Sequence, residues 1–273
     1  MDTTPGSQKK DVYKEAITEL LHRGLISERS EILVLCAGEL DRDTFLDLGF
    51  GNVTLSNLNK NADPDRFAPC KALSLDAEEI DLPDESFDFV FVQSGLHHCA
   101  SPHRAILEMY RVARVGLFAA EPRDGFISRL AVKLGFGQQY EIGSVRGKEG
   151  YRGGGLRFGG IPNWVYRFTA REIIQTIQTA HPEAEHEFIF QHLLVIPWTQ
   201  MHKRGGIRKL IALGLGAMMP LIGRLPFLAN NLYFTVLKPR FPQDLQPWLR
   251  MADGEIVFAE AGKKGARIQF AKE

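Results

Sequence analysis

Cysteine is scarce in this chain. Cys36, Cys70 and Cys99 are its only three, and none forms a Cys-x-x-Cys pair. That excludes a disulfide framework and fits a reducing, cytoplasmic setting. An excess of either charge is also lacking, since 33 lysines and arginines balance 33 aspartates and glutamates in 273 residues. No global field draws a polyanion, so nucleic acid is not an expected partner. No run of about 18 apolar residues is present to span a bilayer, and the opening Met1 to Lys10 has no apolar core of the secretory kind. Internal repeats and low-complexity tracts are absent.

What is present is an alternation of short apolar runs and helical patterns. Phe87 to Val92 is rich in phenylalanine and valine and reads as a strand buried on both faces. Ser94 and Gly95 end it. His97 and His98 follow, where the chain leaves the carboxyl end of that strand, the edge at which open α/β sheets bind ligands. Upstream, Glu31 to Cys36 is a strand, Ala37-Gly38-Glu39 a tight turn, and Asp41 to Leu48 a helix. A turn between a strand and a helix N-terminus offers free N–H groups and close approach to a nucleotide-like ligand.

A second strand spans Val53 to Ser56 and closes at Asn57, and a third spans Lys71 to Leu75 and ends at Asp76. Asp76 with Glu79 three residues on also suits a helix capping box. Ser101 and Pro102 start a helix as N-cap and first-turn proline, and Val115 to Ala120 is a fifth strand ending at Glu121-Pro122. Val12, Ala16, Ile17, Leu20 and Leu21 share one helical face before a stop at Gly24. Later come a helix from Phe126 to Leu134, a helix capped by Thr169 and Glu172, strands at Glu187 to Ile196 and Asn231 to Leu237, and one at Glu255 to Ala259 in the tail. Strands alternating with helices give a doubly wound sheet by the right-handed crossover rule.

The ordered set Asp76-Ala77-Glu78, Leu82-Pro83-Asp84, Ser86 to Val90 and Leu96-His97-His98 resembles the middle of the class I S-adenosylmethionine-dependent methyltransferases. The likeness is closest to the small-molecule subgroup typified by the ubiquinone-biosynthesis C-methyltransferases and covers roughly residues 30 to 122. It implies an α/β fold: a doubly wound, mostly parallel, seven-stranded Rossmann-like sheet with an antiparallel last strand and inserted cap segments. The expected units are an N-terminal helical cap (1–30), the sheet domain (31–240) with insertions near 124–166 and 200–229, and a tail (241–273).

S-adenosylmethionine is the implied cofactor, with Cys36, Ala37, Gly38, Asn57, Leu58, Asp76, Ala77 and Ser94 as its contacts. Of the family's three loop glycines only Gly38 is kept, Cys36 and Leu40 taking the other places. Asn57 stands where the family carries an acid for the ribose hydroxyls. Asp76 would accept from the adenine amino group while the Ala77 N–H meets a ring nitrogen.

His97 and His98 are placed to act as general base towards a hydroxyl, or one of them packs beneath the cofactor. The spacing of His97, His98, Cys99 and His103 matches no usual zinc pattern, and no metal is expected. The glycine-rich stretch from Arg146 to Gly160 carries Tyr151, Arg152 and Arg157 as substrate contacts, or is a solvated loop. His202 to Pro226 is basic, then apolar. It suits a helix on a membrane surface or over a lipid-like substrate, or a core or homodimer-interface helix. The expected activity is methyl transfer to a small-molecule, sugar or lipid-linked acceptor, by O-methylation; the alternative is a non-catalytic scaffold of the same fold.

Overall fold

The computed structural model describes residues 5–58, 64–135, 137–141, 146–147, 150–151, 164–195 and 226–259. Arg152, Arg157 and the stretch 202–225 lie outside them. Helix α1 (Pro5–His22) leads to β1 (Ile32–Leu35), α2 (Glu39–Asp47), β2 (Val53–Ser56) and β3 (Lys71–Leu73). Then follow β4 (Phe87–Gln93), α3 (Pro102–Val112), β5 (Ala113–Pro122) and α4 (Phe126–Lys133). A short hairpin, β6 (Arg146–Gly147) and β7 (Gly150–Tyr151), precedes α5 (Ala170–Ala180), β8 (Glu187–Leu193) and β9 (Asn231–Leu237).

Seven strands form one sheet in the order β3-β2-β1-β4-β5-β9-β8. Strands β1 to β5 pair in parallel, and β9 runs antiparallel to both its neighbours. This is the seven-stranded, mostly parallel sheet expected from the sequence. Alternate side chains explain its two-sided burial. Ile32 and Val34, with Phe89 and Phe91, enter the layer under α1 and α2, while Leu33 and Leu35, with Val90 and Val92, meet α3 and α5. Near-continuous apolar runs are what a strand covered on both faces requires.

Helix α1 is sealed onto the sheet through Tyr13, Ala16, Ile17 and Leu20, all buried. Tyr13, which the helical pattern did not single out, packs 5.8 Å from Phe118 and 6.3 Å from Phe45, centroid to centroid. The helix stops at Gly24, whose φ of 66° lets the N–H of Leu25 reach back to the Leu20 carbonyl at 3.0 Å.

Several boundaries differ from those read in the sequence. Helix α2 begins at Glu39, because Gly38 supplies the extended N-cap backbone. Strand β8 ends at Leu193, where Asn230 takes over through hydrogen bonds to the Val195 backbone. No helix follows Asp76; residues 76–80 form a turn, with the Asp76 carboxylate accepting from the Glu78 N–H at 2.9 Å. The Ser101 side chain makes no cap bond. The Glu78 carboxylate accepts instead from the N–H groups of Ala100 and Ser101 at 2.7 and 2.8 Å. Arg111 then locks the acidic loop by donating to the carbonyls of Ile80 and Leu82 and to the Asp84 carboxylate. In the tail, the strand Glu255–Phe258 pairs with a second, Leu249–Ala252, across a turn of two left-handed residues, Asp253 and Gly254.

Candidate active site

From β1 the chain steps outward to β2 and β3, then returns to lay β4 on the other side of β1. Adjacent strands whose connections leave in opposite directions open a crevice at their carboxyl ends. Both strands end there in a left-handed residue, Cys36 with φ 52° and Ser94 with φ 53°. Such a conformation costs about 1–3 kcal/mol outside glycine and concentrates at functional sites. The Cys36 side chain fills the space a side chain on Gly95 would need: a Cβ there would stand 2.5 Å from Cys36 Cβ and 2.8 Å from its Sγ.

Cys36 is exposed at the floor of this cleft although protein mass surrounds it closely. Desolvation by that mass, with Glu121, Asp41 and Asp76 nearby, pushes its thiol up to about 12. A neutral thiol is a packing group rather than a nucleophile.

On the α2 side of the cleft Gly38 donates its N–H to Asp41 Oδ2 at 2.8 Å, and Ala37 donates to the Ser56 carbonyl at 2.8 Å. The Asn57 side-chain amide donates to the Ala37 carbonyl at 3.1 Å, which ties the ends of β1 and β2 together. Asp41 is buried, and burial raises its carboxyl to about 6 against the Gly38 hydrogen bond that lowers it. Asp41 and Tyr13 lie close enough to couple electrically, yet neither Asp41 Oδ1 nor Tyr13 Oη reaches a hydrogen bond of ordinary geometry. Gln93 Nε2, next after Phe89 and Phe91 on the same face of β4, is a third buried polar atom lacking a partner. Buried polar atoms are rarely left unpaired. The Gln93 amide therefore has a donor left for a ligand's carboxylate.

Across the cleft Asp76 is exposed, Ala77 is buried in the core, and Leu58 is 45% exposed. An unpartnered amide on one wall and an exposed carboxylate with apolar neighbours on the other fit S-adenosylmethionine, which carries an amino acid end and an adenosine end.

Beyond β4 the chain makes a short 3-10 turn, Leu96–His98. It is held by a residue that the sequence marked only as the end of a strand. Glu121, fully buried, accepts from the N–H groups of Gly95 and Leu96, both at 2.8 Å, and its other oxygen lies 2.6 Å from His97 Nδ1. Burial works against charge on His97, but Glu121 and Glu141 outweigh it and hold the imidazole at about 9. At neutral pH His97 is thus an imidazolium fixed in place. Glu141 Oε2 stands 3.4 Å from His97 Nε2 and 3.1 Å from His98 Nε2. Hydrogen bonds from both histidines, against partial burial, keep Glu141 well below the usual carboxylate range.

The structure therefore gathers Cys36, Ala37, Gly38, Asn57, Asp76, Ser94, His97 and His98 at one rim of the sheet. Tyr151 lies in β7, paired with Arg146 in a two-stranded sheet separate from the seven-stranded one. Sequence reasoning missed Tyr13, Asp41, Glu121 and Glu141; a lone acid closing an otherwise apolar strand was the available signal for Glu121. Two cavities lie away from this rim, one of about 330 Å³ between α1 and β8–β9 and one of about 890 Å³ at the opposite edge beside Arg114 and Lys238.

Residues 39–119 match the family model described as a methyltransferase domain. A search of curated proteins found no sequence match. Among solved structures, the chain is similar to an S-adenosylmethionine-dependent methyltransferase from Methanosarcina mazei at 16% identity and TM-score 0.45, over 80% of this chain and 97% of that one. An S-adenosylmethionine-dependent methyltransferase from Mesorhizobium loti matches at 12% identity and TM-score 0.47, over 79% and 95%. One from Archaeoglobus fulgidus matches at 10% identity and TM-score 0.48, over 84% and 94%.

Proposed function

We propose that this chain, whose residues 39–119 match a methyltransferase domain, takes S-adenosylmethionine as its cofactor and methylates a hydroxyl oxygen of a small-molecule acceptor. The observation that supports this reading most is the pair of left-handed residues, Cys36 and Ser94, flanking the crevice between β1 and β4. Gln93, at the end of β4 beside them, carries a buried amide nitrogen with no partner among the described residues.

The cofactor supplies an electrophilic methyl on a sulfonium. The residues positioned to hold it are Ala37 and Gly38 at the start of α2, Asn57 at the end of β2, and Asp76 with Ala77 after β3. Aligning acceptor oxygen, methyl and sulfur is chiefly a matter of positioning. His97, kept cationic by Glu121, orients the turn after β4 and is a poor base at neutral pH. His98, partly exposed and paired with Glu141, is the group in reach of an acceptor hydroxyl's proton.

A methyl-labelled cofactor incubated with phenols, sugars and isoprenoid phenols tests this reading. Label is expected on oxygen, with a loss of about 10²–10⁴ in rate for His98→Ala, the range of general base catalysis. Label found only on nitrogen or carbon would refute O-methylation. The scaffold reading has its own support, since the Gly38 N–H is already taken by Asp41 and the Asn57 amide by Ala37. No binding of the cofactor or its demethylated product at high micromolar concentration would favour it.

A further inference from the structure

Two imidazoles and one carboxylate converge at the lip of the cleft. His97, His98 and Glu141 each bring one imidazole nitrogen or carboxylate oxygen to within 4.8 Å of the others. The carboxylate stands 3.4 Å from one nitrogen and 3.1 Å from the other. Ligands about 2.0–2.2 Å from a shared ion stand about 3.0 Å apart at right angles and about 3.4 Å apart at the tetrahedral angle. Both carboxylate–imidazole contacts fall in that interval, and an ion would draw the two imidazoles together around the shared oxygen.

The surroundings are those of a metal-binding histidine. Its Nδ1 side is held by the buried Glu121 carboxylate at 2.6 Å, which turns Nε2 outward towards Glu141. Such a carboxylate–histidine pairing fixes the tautomer and ring orientation of metal ligands. The two rings are 4.1 Å apart and tilted by 44°, and both Nε2 atoms face the same Glu141 oxygen. Glu141 and His98 are only partly buried, which leaves an entry path for an ion. Two nitrogens and one carboxylate oxygen are also the set used by open catalytic zinc sites and by the facial non-haem iron sites.

We propose that His97, His98 and Glu141 bind a divalent first-row transition-metal ion through three protein ligands, the ion displacing the His97 Nε2 proton to solvent and its remaining positions open to water or an acceptor oxygen. The site does not depend on the methyl-transfer reading. Where both hold, the ion takes over from His98 the task of acidifying a bound hydroxyl.

The test uses the full chain without a histidine tag, stripped with chelator and titrated with Zn²⁺ by calorimetry and with Co²⁺ by visible absorption. One ion per chain is expected, with a Co²⁺ spectrum free of thiolate charge transfer. Loss of an outer-shell partner alone weakens metal sites about 10–100-fold, so Glu141→Gln and His98→Gln should each weaken Zn²⁺ by more than tenfold with the melting temperature of the stripped protein kept. Absence of a saturable site would overturn the proposal. So would unchanged affinity in both variants, or a thiolate band showing that Cys36 or Cys99 takes the ion.

Discussion

Removing the Glu121 carboxylate should unfasten the turn that carries both histidines. Its two oxygens satisfy three donors in a fully buried setting: Gly95 N, Leu96 N and His97 Nδ1. Glu121→Ala would strand two buried N–H groups, each costing about 1–3 kcal/mol, and would leave His97 without the partner that sustains its charge. Breaking a buried ion pair from one side costs about 3–5 kcal/mol. These contributions overlap, because His97 can lose its proton, and we expect a total of about 3–5 kcal/mol. For a chain of this size each kcal/mol lowers the melting temperature by about 2–4 °C, giving a drop of roughly 6–20 °C. Glu121→Gln keeps one acceptor for the backbone pair and should cost about half as much. Urea unfolding at pH 7 with both variants is the assay. A loss below about 1 kcal/mol for Glu121→Ala would refute the idea that this carboxylate organises the turn.

Gly95→Ala should destabilise the chain by about 1–3 kcal/mol, because its Cβ would meet Cys36 at 2.5 Å. Cys36→Gly removes the obstacle and relieves a left-handed φ, so the double variant should regain most of that loss; equal effects in both backgrounds would contradict the contact. Asp41 carries a carboxyl raised to about 6 from 3.8. A raised carboxyl contributes stability that is fully present below pH 3.8 and is lost as pH rises through 6. Asp41→Asn should therefore gain on the parent by about 3 kcal/mol at most between pH 4 and pH 7. A constant difference across that range, followed by denaturant titration, would contradict this.

The sheet was legible because its strands are apolar on both faces. Val53–Ser56 and Asn231–Leu237 match the structure residue for residue, and the capping box of Thr169 and Glu172 forms as expected. Turns were harder to read. Asp76 and Glu79 have capping-box spacing, but Glu78 is drawn to the start of α3 and no helix follows. Long-range partners left the weakest trace: nothing local connects Glu141 with His98, 43 positions earlier in the chain. Asp41 was hidden for a related reason. Its burial follows from the docking of α1, and a charged residue on a short helix ordinarily faces water.

Calorimetric titration of the purified chain with S-adenosylmethionine and with its demethylated product addresses the cleft between β1 and β4 most directly. Saturable one-to-one binding of both is expected, weakened about tenfold by Asp76→Ala, which removes roughly one hydrogen bond to a charged group. No heat and no protection against thermal unfolding at millimolar ligand would contradict the assignment of that cleft to the cofactor.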